Sequence, residues 1–290
     1  YMLERETSVS TYMGNYLAIP HGTNEGKDTI LHARALRSAP LPGSQLSTLN
    51  SQLAMPPRPH LYLLAALLIA FGISHFSDRI DPYHLDVLTG IGINVILAVS
   101  LNLVNGYTGQ FSLGHAGFMA VGAYLAAAVS VFLGPKLLGP DGGSALAQNL
   151  VFLAALLVGG LSAAVTGLLV GVPSLRLKGD YLALVTLGFG EIIRVIFQNF
   201  EPLGGALGLN GIPAYTSIFW VLAFVALTVF VVVCLVHSTY GRGFIATHDD
   251  EIASEAAGLN TTRYKIVAFV IAAFFAGIGG GLYGHFKLTI

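Results

Sequence analysis

From Leu61 to the end, the chain is a succession of charge-poor apolar segments, most of them close to the roughly 20 residues that a helix needs to cross hydrocarbon. They fall near 61–76, 85–104, 113–133, 146–170, 181–200, 215–236 and 264–286, with glycines and polar residues collected between them. A backbone in lipid must satisfy its own hydrogen bonds, so repeated runs of this length form spanning helices. The expected fold class is all-α, a polytopic transmembrane helix bundle of about seven spans. The first window is short, and Pro173 or the glycines could interrupt others, so the count is good to one or two. Whatever the chain does is done across or within a membrane.

Composition agrees. Charged residues make up 10% of the chain, against about 25% in soluble domains, and mean hydropathy is +0.72. A formal net charge of −1 with no basic patch excludes nucleic acid as a partner. The single cysteine, Cys234, lies inside an apolar run. It supports neither a disulfide framework nor a zinc site and reads as a small buried hydrophobe. No metal site is expected, and no signal-peptide pattern is found in residues 1–60.

Basic residues orient the bundle. With the N-terminal side cytoplasmic, Arg58, Arg176, Lys178, Arg242, Arg263 and Lys265 fall inside, while Arg79 and Lys136 fall outside. That bias satisfies the positive-inside rule. The Pro/Gly loop 201–213, which lacks a basic residue, suits the outer face.

The first sixty residues differ. Residues 1–30 mix polar and apolar positions around a turn at Pro20-His21-Gly22, and 31–60 form a Pro/Ser-rich linker without sustained period. Together they are expected to be a disordered N-terminal extension, since thirty residues cannot build a core of their own. Met2-Leu3-Glu4-Arg5-Glu6, Ser10-Thr11-Tyr12-Met13-Gly14-Asn15 and Ala18-Ile19-Pro20-His21-Gly22-Thr23 closely resemble part of the enzyme IIA domain of the mannitol/fructose phosphotransferase system. The resemblance covers about a fifth of such a domain. It implies that His21 stands where the family accepts a phosphoryl group, with Arg5 at the position of a nearby basic residue. The shell that supports this histidine has no counterpart, so His21 is expected to be inert. Gly22 to Asp28 falls one residue short of a P-loop and ends in Asp, so no nucleotide site is read there.

Three blocks carry the identity of the membrane part. One runs from Asn94 through Asn102-Leu103-Val104-Asn105-Gly106-Tyr107-Thr108-Gly109-Gln110 to Phe111-Ser112-Leu113-Gly114-His115-Ala116-Gly117. Another is Leu175-Arg176-Leu177-Lys178-Gly179-Asp180-Tyr181. The last links Gly241-Arg242-Gly243, Asp249-Asp250-Glu251, Glu255-Ala256-Ala257-Gly258, Arg263-Tyr264-Lys265 and Phe274-Phe275-Ala276-Gly277. Together they resemble the permease subunit of high-affinity branched-chain amino acid ABC importers, in particular the M-type member of the paired permeases. The match covers essentially all of 61–290. It implies further spans after Ile290, so the bundle is expected to lack its C-terminal spans.

Segment 249–258 reads as a short amphipathic helix from the residues alone. Ile252, Ala253, Ala256 and Ala257 occupy neighbouring positions, Asp249 can cap the N-terminus, Asp250 and Glu251 suit its positive end, and Gly258 stops it. The resemblance implies that Asp249, Asp250, Glu251, Glu255, Ala256, Ala257 and Gly258 couple to the ATP-binding subunit; a solvated loop helix is the alternative. Asn260-Thr261-Thr262 fits a glycosylation sequon but is placed inside, so Thr261 or Thr262 is expected to cap the next helix. Gly277 with Gly281, Gly280 with Gly284, and Gly167 with Gly171 have the spacing of close helix packing.

Non-helical backbone at membrane depth is tolerated where it is buried or lines a cavity. Gln110, Ser112 and His115 are therefore candidates to line a translocation path, with packing or capping as the alternative. Glu191 and Arg194, one turn apart in an apolar run, are expected to form an ion pair facing the bundle interior or to touch cargo. The leading reading is an importer subunit for branched-chain or similar hydrophobic amino acids, with no cofactor of its own and ATP consumed by partners. The resemblance implies a second permease, two ATP-binding subunits and a periplasmic amino-acid-binding protein, in the bacterial inner membrane. A urea or short-amide permease is the alternative within that class. Outside it stand a phosphotransferase component acting through His21, and an inactive fused or truncated chain.

Overall fold

The computed structural model describes residues 59–139, 144–174, 177 and 180–290. His21, Arg5, the expected boundary between 1–30 and the linker, and the basic residues Arg58, Arg176 and Lys178 lie outside the described residues.

The described chain is helical. In order it forms α1 Pro59–His75, α2 Pro82–Asn105, α3 His115–Ala128, α4 Gly134–Leu138, α5 Ala145–Ser174, α6 Asp180–Gln198, α7 Ile218–Val236, α8 Thr239–Asp249, α9 Glu251–Ala256 and α10 Thr261–Lys287. A π-turn at Val129–Leu133 carries α3 into α4. Six helical stretches are long and apolar enough to cross a membrane: α2, α3 continued to Leu138, α5, the Tyr181–Gln198 part of α6, α7 and α10. The first apolar window is the shorter helix α1, of 17 residues. Pro173 stands in the last turn of α5 and does not divide it. Among the described residues there is no strand, only an isolated bridge between Asn210 and Thr289.

Local chemistry sets the helix starts. Asp81 caps α2 by accepting the Tyr83 N–H at 2.8 Å, and Pro82 follows at the first helical position, where a missing N–H costs nothing. Asn260 caps α10 through the Arg263 N–H at 3.0 Å, in place of the expected threonine. The amide oxygen of Asn260 already stands in position, which leaves the Thr261 hydroxyl for a different bond.

α10 is the centre of the bundle. Two-thirds (67%) of its spanning window is buried, against 22% for α6. It packs against α5, α3 and α2; α7 lies on α2, α1 on α7, and α6 on α3. In lipid, apolar side chains gain nothing by leaving hydrocarbon, so close backbone approach and dispersion hold such helices together. The approach is made by glycines. A Cβ on Gly277 would lie 2.5 Å from that of Ala163 and 2.7 Å from the Gly159 carbonyl, and one on Gly159 would lie 2.6 Å from the Gly122 carbonyl. The α3, α5 and α10 backbones thus meet where none has a side chain. Phe118 and Phe269 pack edge to face beside this seam, with ring centroids 5.3 Å apart.

The connections gather at two opposite ends. One holds 106–114 and 237–260. The other holds 199–217 and the chain end, where Leu209 and Ile290 exchange backbone hydrogen bonds of 3.1 and 3.2 Å. Lys287 pairs there with Asp86 at 3.3 Å, across the start of α2.

Candidate functional site

The irregular segment 106–114 doubles back into the bundle. Gly109, with φ +65°, turns the chain. The Gln110 N–H then reaches the Val104 carbonyl at 3.1 Å, and the Ser112 N–H reaches Asn105 Oδ1 at 3.2 Å. The Leu113 N–H bonds Thr186 Oγ1 of α6 at 3.1 Å. α3 opens with His115, whose Nε2 lies 2.9 Å from Ser100 Oγ. Ser100 is five residues, about 7.5 Å of helix, inside the end of α2. The Ser100 hydroxyl donates to the Leu97 carbonyl at 2.9 Å, which leaves its oxygen to accept from His115. Non-helical backbone therefore runs back between α2 and α6, with Thr108, Gln110, Ser112 and Gly114 buried and side chains satisfying amides that no helix serves.

Two of the three residues singled out here are deeply buried, Gln110 at 3% exposure and Ser112 at 4%. Gln110 Nε2 donates to Thr108 Oγ1 at 3.1 Å, because the Thr108 hydroxyl is committed to the Val104 carbonyl at 2.8 Å. That network fixes the amide's orientation and leaves the buried Gln110 Oε1 with no bonding partner. Gln110 lines a cavity of about 470 Å³ together with Phe111, Asp249, Asp250, Glu251 and Lys265. Ser112 and His115 stand beside that cavity and do not line it.

The segment 249–258 departs from the expected single helix. Asp249 closes α8, and Asp250 caps α9, accepting the Ile252 and Ala253 N–H groups at 2.9 and 3.0 Å. The extended backbone of Asp250, at φ −155°, breaks the run into two helices. Gly258, at φ +89°, supplies the expected stop. Ile252 is 75% exposed, and Ala253, Ala256 and Ala257 are exposed with it, so the small apolar face points outward. The opposite side is fastened. Ser254 Oγ donates to the Ala246 carbonyl at 2.8 Å, and the Thr261 hydroxyl donates to Glu255 at 2.7 Å. Glu251 pairs with Lys265 of α10 at 2.8 Å, with the lysine only 8% exposed. Gly109 lies against His248: a Cβ there would stand 2.7 Å from the imidazole, so the re-entrant segment touches α8 directly.

Glu191 and Arg194 do form an ion pair, with Arg194 Nε 3.0 Å from both carboxylate oxygens. It does not face the interior. Their side chains are 57% and 61% exposed, because α6 is packed on one side only, chiefly by α3. The pair is therefore separate from the Gln110–His115 cluster. Thr186, which anchors Leu113, and Lys265, which holds α9, escaped notice as site residues. A lone threonine in an apolar run carries no periodic signal, and the lysine counted toward orientation and the family resemblance but not as a site.

Six helices of spanning length among the described residues, gathered around α10, define a multi-pass membrane protein, placed in the inner membrane. The chain belongs to the family of permease components of branched-chain amino acid transport systems, whose model matches residues 83–287. It is 35% identical over 258 residues to the high-affinity branched-chain amino acid transport system permease protein LivM of Salmonella typhimurium, covering 77% of this chain and 56% of that one. It is 26% identical over 233 residues to a probable branched-chain amino acid transport permease protein LivM of Methanocaldococcus jannaschii, covering 70% and 68%. The chain thus spans little more than half the length of the first of these relatives. A separate stretch of 32 residues is 66% identical to the mannitol-specific phosphotransferase enzyme IIA component of Halalkalibacterium halodurans, 11% of this chain and 22% of that protein. No solved structure matches.

Proposed function

We propose that this chain is a permease subunit of an ATP-driven importer for branched-chain amino acids. It works beside a second permease subunit, two ATP-binding subunits and a periplasmic amino-acid-binding protein. It holds no ATPase site and no cofactor, and the energy enters through its partners. The observation that carries this reading is the mounting of α9. An outward face of Ile252, Ala253, Ala256 and Ala257 is backed by bonds that tie the same short helix to α10. A subunit that grips this face moves α10, and α10 cannot move without the glycine seam it shares with α3 and α5. The end of the path lies at 106–115, where Gln110, Ser112 and His115 offer fixed polar groups to the ammonium and carboxylate of a passing amino acid. The exposed Glu191–Arg194 pair is costly in lipid and faces the second permease subunit, which shields it.

Leucine uptake into vesicles carrying the assembled complex tests this. Replacing Ala256 and Ala257 together by glutamate, on exposed positions, is expected to leave insertion intact and to abolish transport-stimulated ATP hydrolysis. Undiminished leucine uptake by that double variant removes the coupling assignment.

A further inference from the structure

A smaller cavity, of about 190 Å³, lies where the start of α8 and the link after α9 meet the first turns of α10. Its polar side chains are Tyr240, Asn260, Arg263 and Tyr264, and Leu259 and Val267 make its apolar wall. Each of the four polar side chains brings a donor that the chain does not use. Asn260 spends its amide oxygen on the Arg263 N–H at 3.0 Å, which leaves its NH2 group over. Among the described residues the Arg263 guanidinium has neither an ion pair nor a hydrogen bond, and neither phenol hydroxyl bonds a protein group. No carboxylate among them lines the cavity. Glu255, the acid nearest along the chain, is engaged with the Thr261 hydroxyl at 2.7 Å. A guanidinium, an amide NH2 and two hydroxyls around one space, with no acid among them, suit an anion.

The cavity also sits at the edge of the membrane. α10 has 27 residues, about 40 Å of helix against roughly 30 Å of hydrocarbon. Its first turn, with Arg263, therefore stands at headgroup depth, and Val267 lies one turn further in. The rings of Tyr240 and Tyr264, with centroids 5.9 Å apart, are of the amphipathic kind that settles at that level. The volume is below the roughly 300–1,000 Å³ that encloses a whole small-molecule ligand, so the space takes a head group while the rest of the ligand stays outside.

The geometry points to a site for the head group of an anionic phospholipid, with its phosphate on Arg263 and the Asn260 NH2 and an acyl chain leaving along Val267. The site goes beyond the importer reading and needs only the membrane placement of the chain. The planar fork of a guanidinium bonds two phosphate oxygens at once, and basic pockets at the ends of spanning helices take such head groups. A free phosphate would leave Leu259 and Val267 uncovered, whereas a lipid brings chains to cover them. The Tyr264 ring lies directly on Gly243 of α8, so a lipid seated here touches α8, α10 and the link that follows α9.

The test is native mass spectrometry of the full chain, which counts the lipids retained when detergent is stripped away. Dioleoyl phosphatidylglycerol is expected to be retained at least fivefold more often than dioleoyl phosphatidylcholine at equal concentration. Arg263→Gln and Asn260→Asp are each expected to lower bound phosphatidylglycerol at least fivefold, with unfolding temperature in lipid-free detergent unchanged. Asn260→Asp keeps the helix cap and exchanges a donor for a charge that repels phosphate. Arg242→Gln, at an exposed arginine of α8 outside the cavity, is expected to retain as much lipid as the native chain. Retention within twofold of native in either cavity variant, or equal retention of the two lipids, overturns the proposal. A loss in Arg242→Gln as large as in Arg263→Gln also overturns it, because the attraction is then diffuse. Glycerol 3-phosphate is the probe for a soluble anion. If millimolar glycerol 3-phosphate stabilises the native chain but not Arg263→Gln, and phosphatidylglycerol stabilises neither, the cavity belongs to a free anion and the lipid site is refuted.

Discussion

At the scale of single residues, the described site turns on which polar groups are satisfied and by whom. Lys265 is nearly buried yet paired, so its stem packs in the bundle while its ammonium fastens α9. Asp250 and Asn260 take the caps that pattern reading gave to neighbours one or two positions away. Such shifts are beyond sequence, because Asp249, Asp250, Asn260 and Thr261 are all good caps by type, and backbone geometry selects among them. His21 belongs to this scale too. The run that matches an enzyme IIA component passes into a Pro/Ser-rich stretch and then into α1 at Pro59. A phosphohistidine works when a packed shell aims the imidazole and shelters its phosphoramidate. No phosphotransfer to this chain is expected from labelled phosphoenolpyruvate, enzyme I and carrier protein. Stoichiometric acid-labile label, lost in His21→Ala, would show a working site.

At the scale of elements, the chain separates helices that only pack from helices that also carry load. The spacing of Gly277, Gly280, Gly281 and Gly284 announced one face of α10 as a packing face, and the structure sets that face against α3 and α5. The reciprocal glycines, Gly122 and Gly159, have Ala126 and Ala163 at i+4, so a rule read on glycine pairs alone passes over them. The seam gives a direct prediction. Gly277→Leu drives a side chain into Ala163 and the α5 backbone, at the upper end of the roughly 1–3 kcal/mol that overpacking costs. Gly90→Leu, in α2 with nothing within 4 Å, is the matched control. Folded yield in mild detergent and midpoint of thermal unfolding should fall for the first and hold for the second. Equal tolerance of both would mean that close backbone approach does not stabilise the bundle. The break at Asp250 is also an elemental fact: two short helices at an angle give α9 a face of its own, which one continuous helix would not.

At the scale of the molecule, the described basic residues divide between the two ends of the bundle, with Arg79, Lys136 and Lys287 at the end that also holds 199–217. α8, α9 and the start of α10 bring Arg242, Arg263 and Lys265 to one end, while the Leu209–Ile290 bridge and the exposed Leu207 stand at the other. In a Cys234→Ala background, a cysteine at 207 should react with a membrane-impermeant maleimide from outside, and one at 252 only after permeabilisation. The reverse pattern would invert the topology. The run of spans and their order were legible before any coordinates, the seven expected windows becoming six helices of spanning length and the shorter α1 among the described residues, because hydrocarbon leaves a backbone one local solution. The polar stretch around Asn105 and Gln110 was likewise marked as a site, since such residues have no cheap place in lipid. The direction of the Glu191–Arg194 pair, the outward face of α9 and the cavity under Asp249 were not legible. Each depends on which helices are neighbours, and that choice is made by shape between segments distant in the chain, which leaves no period in either segment.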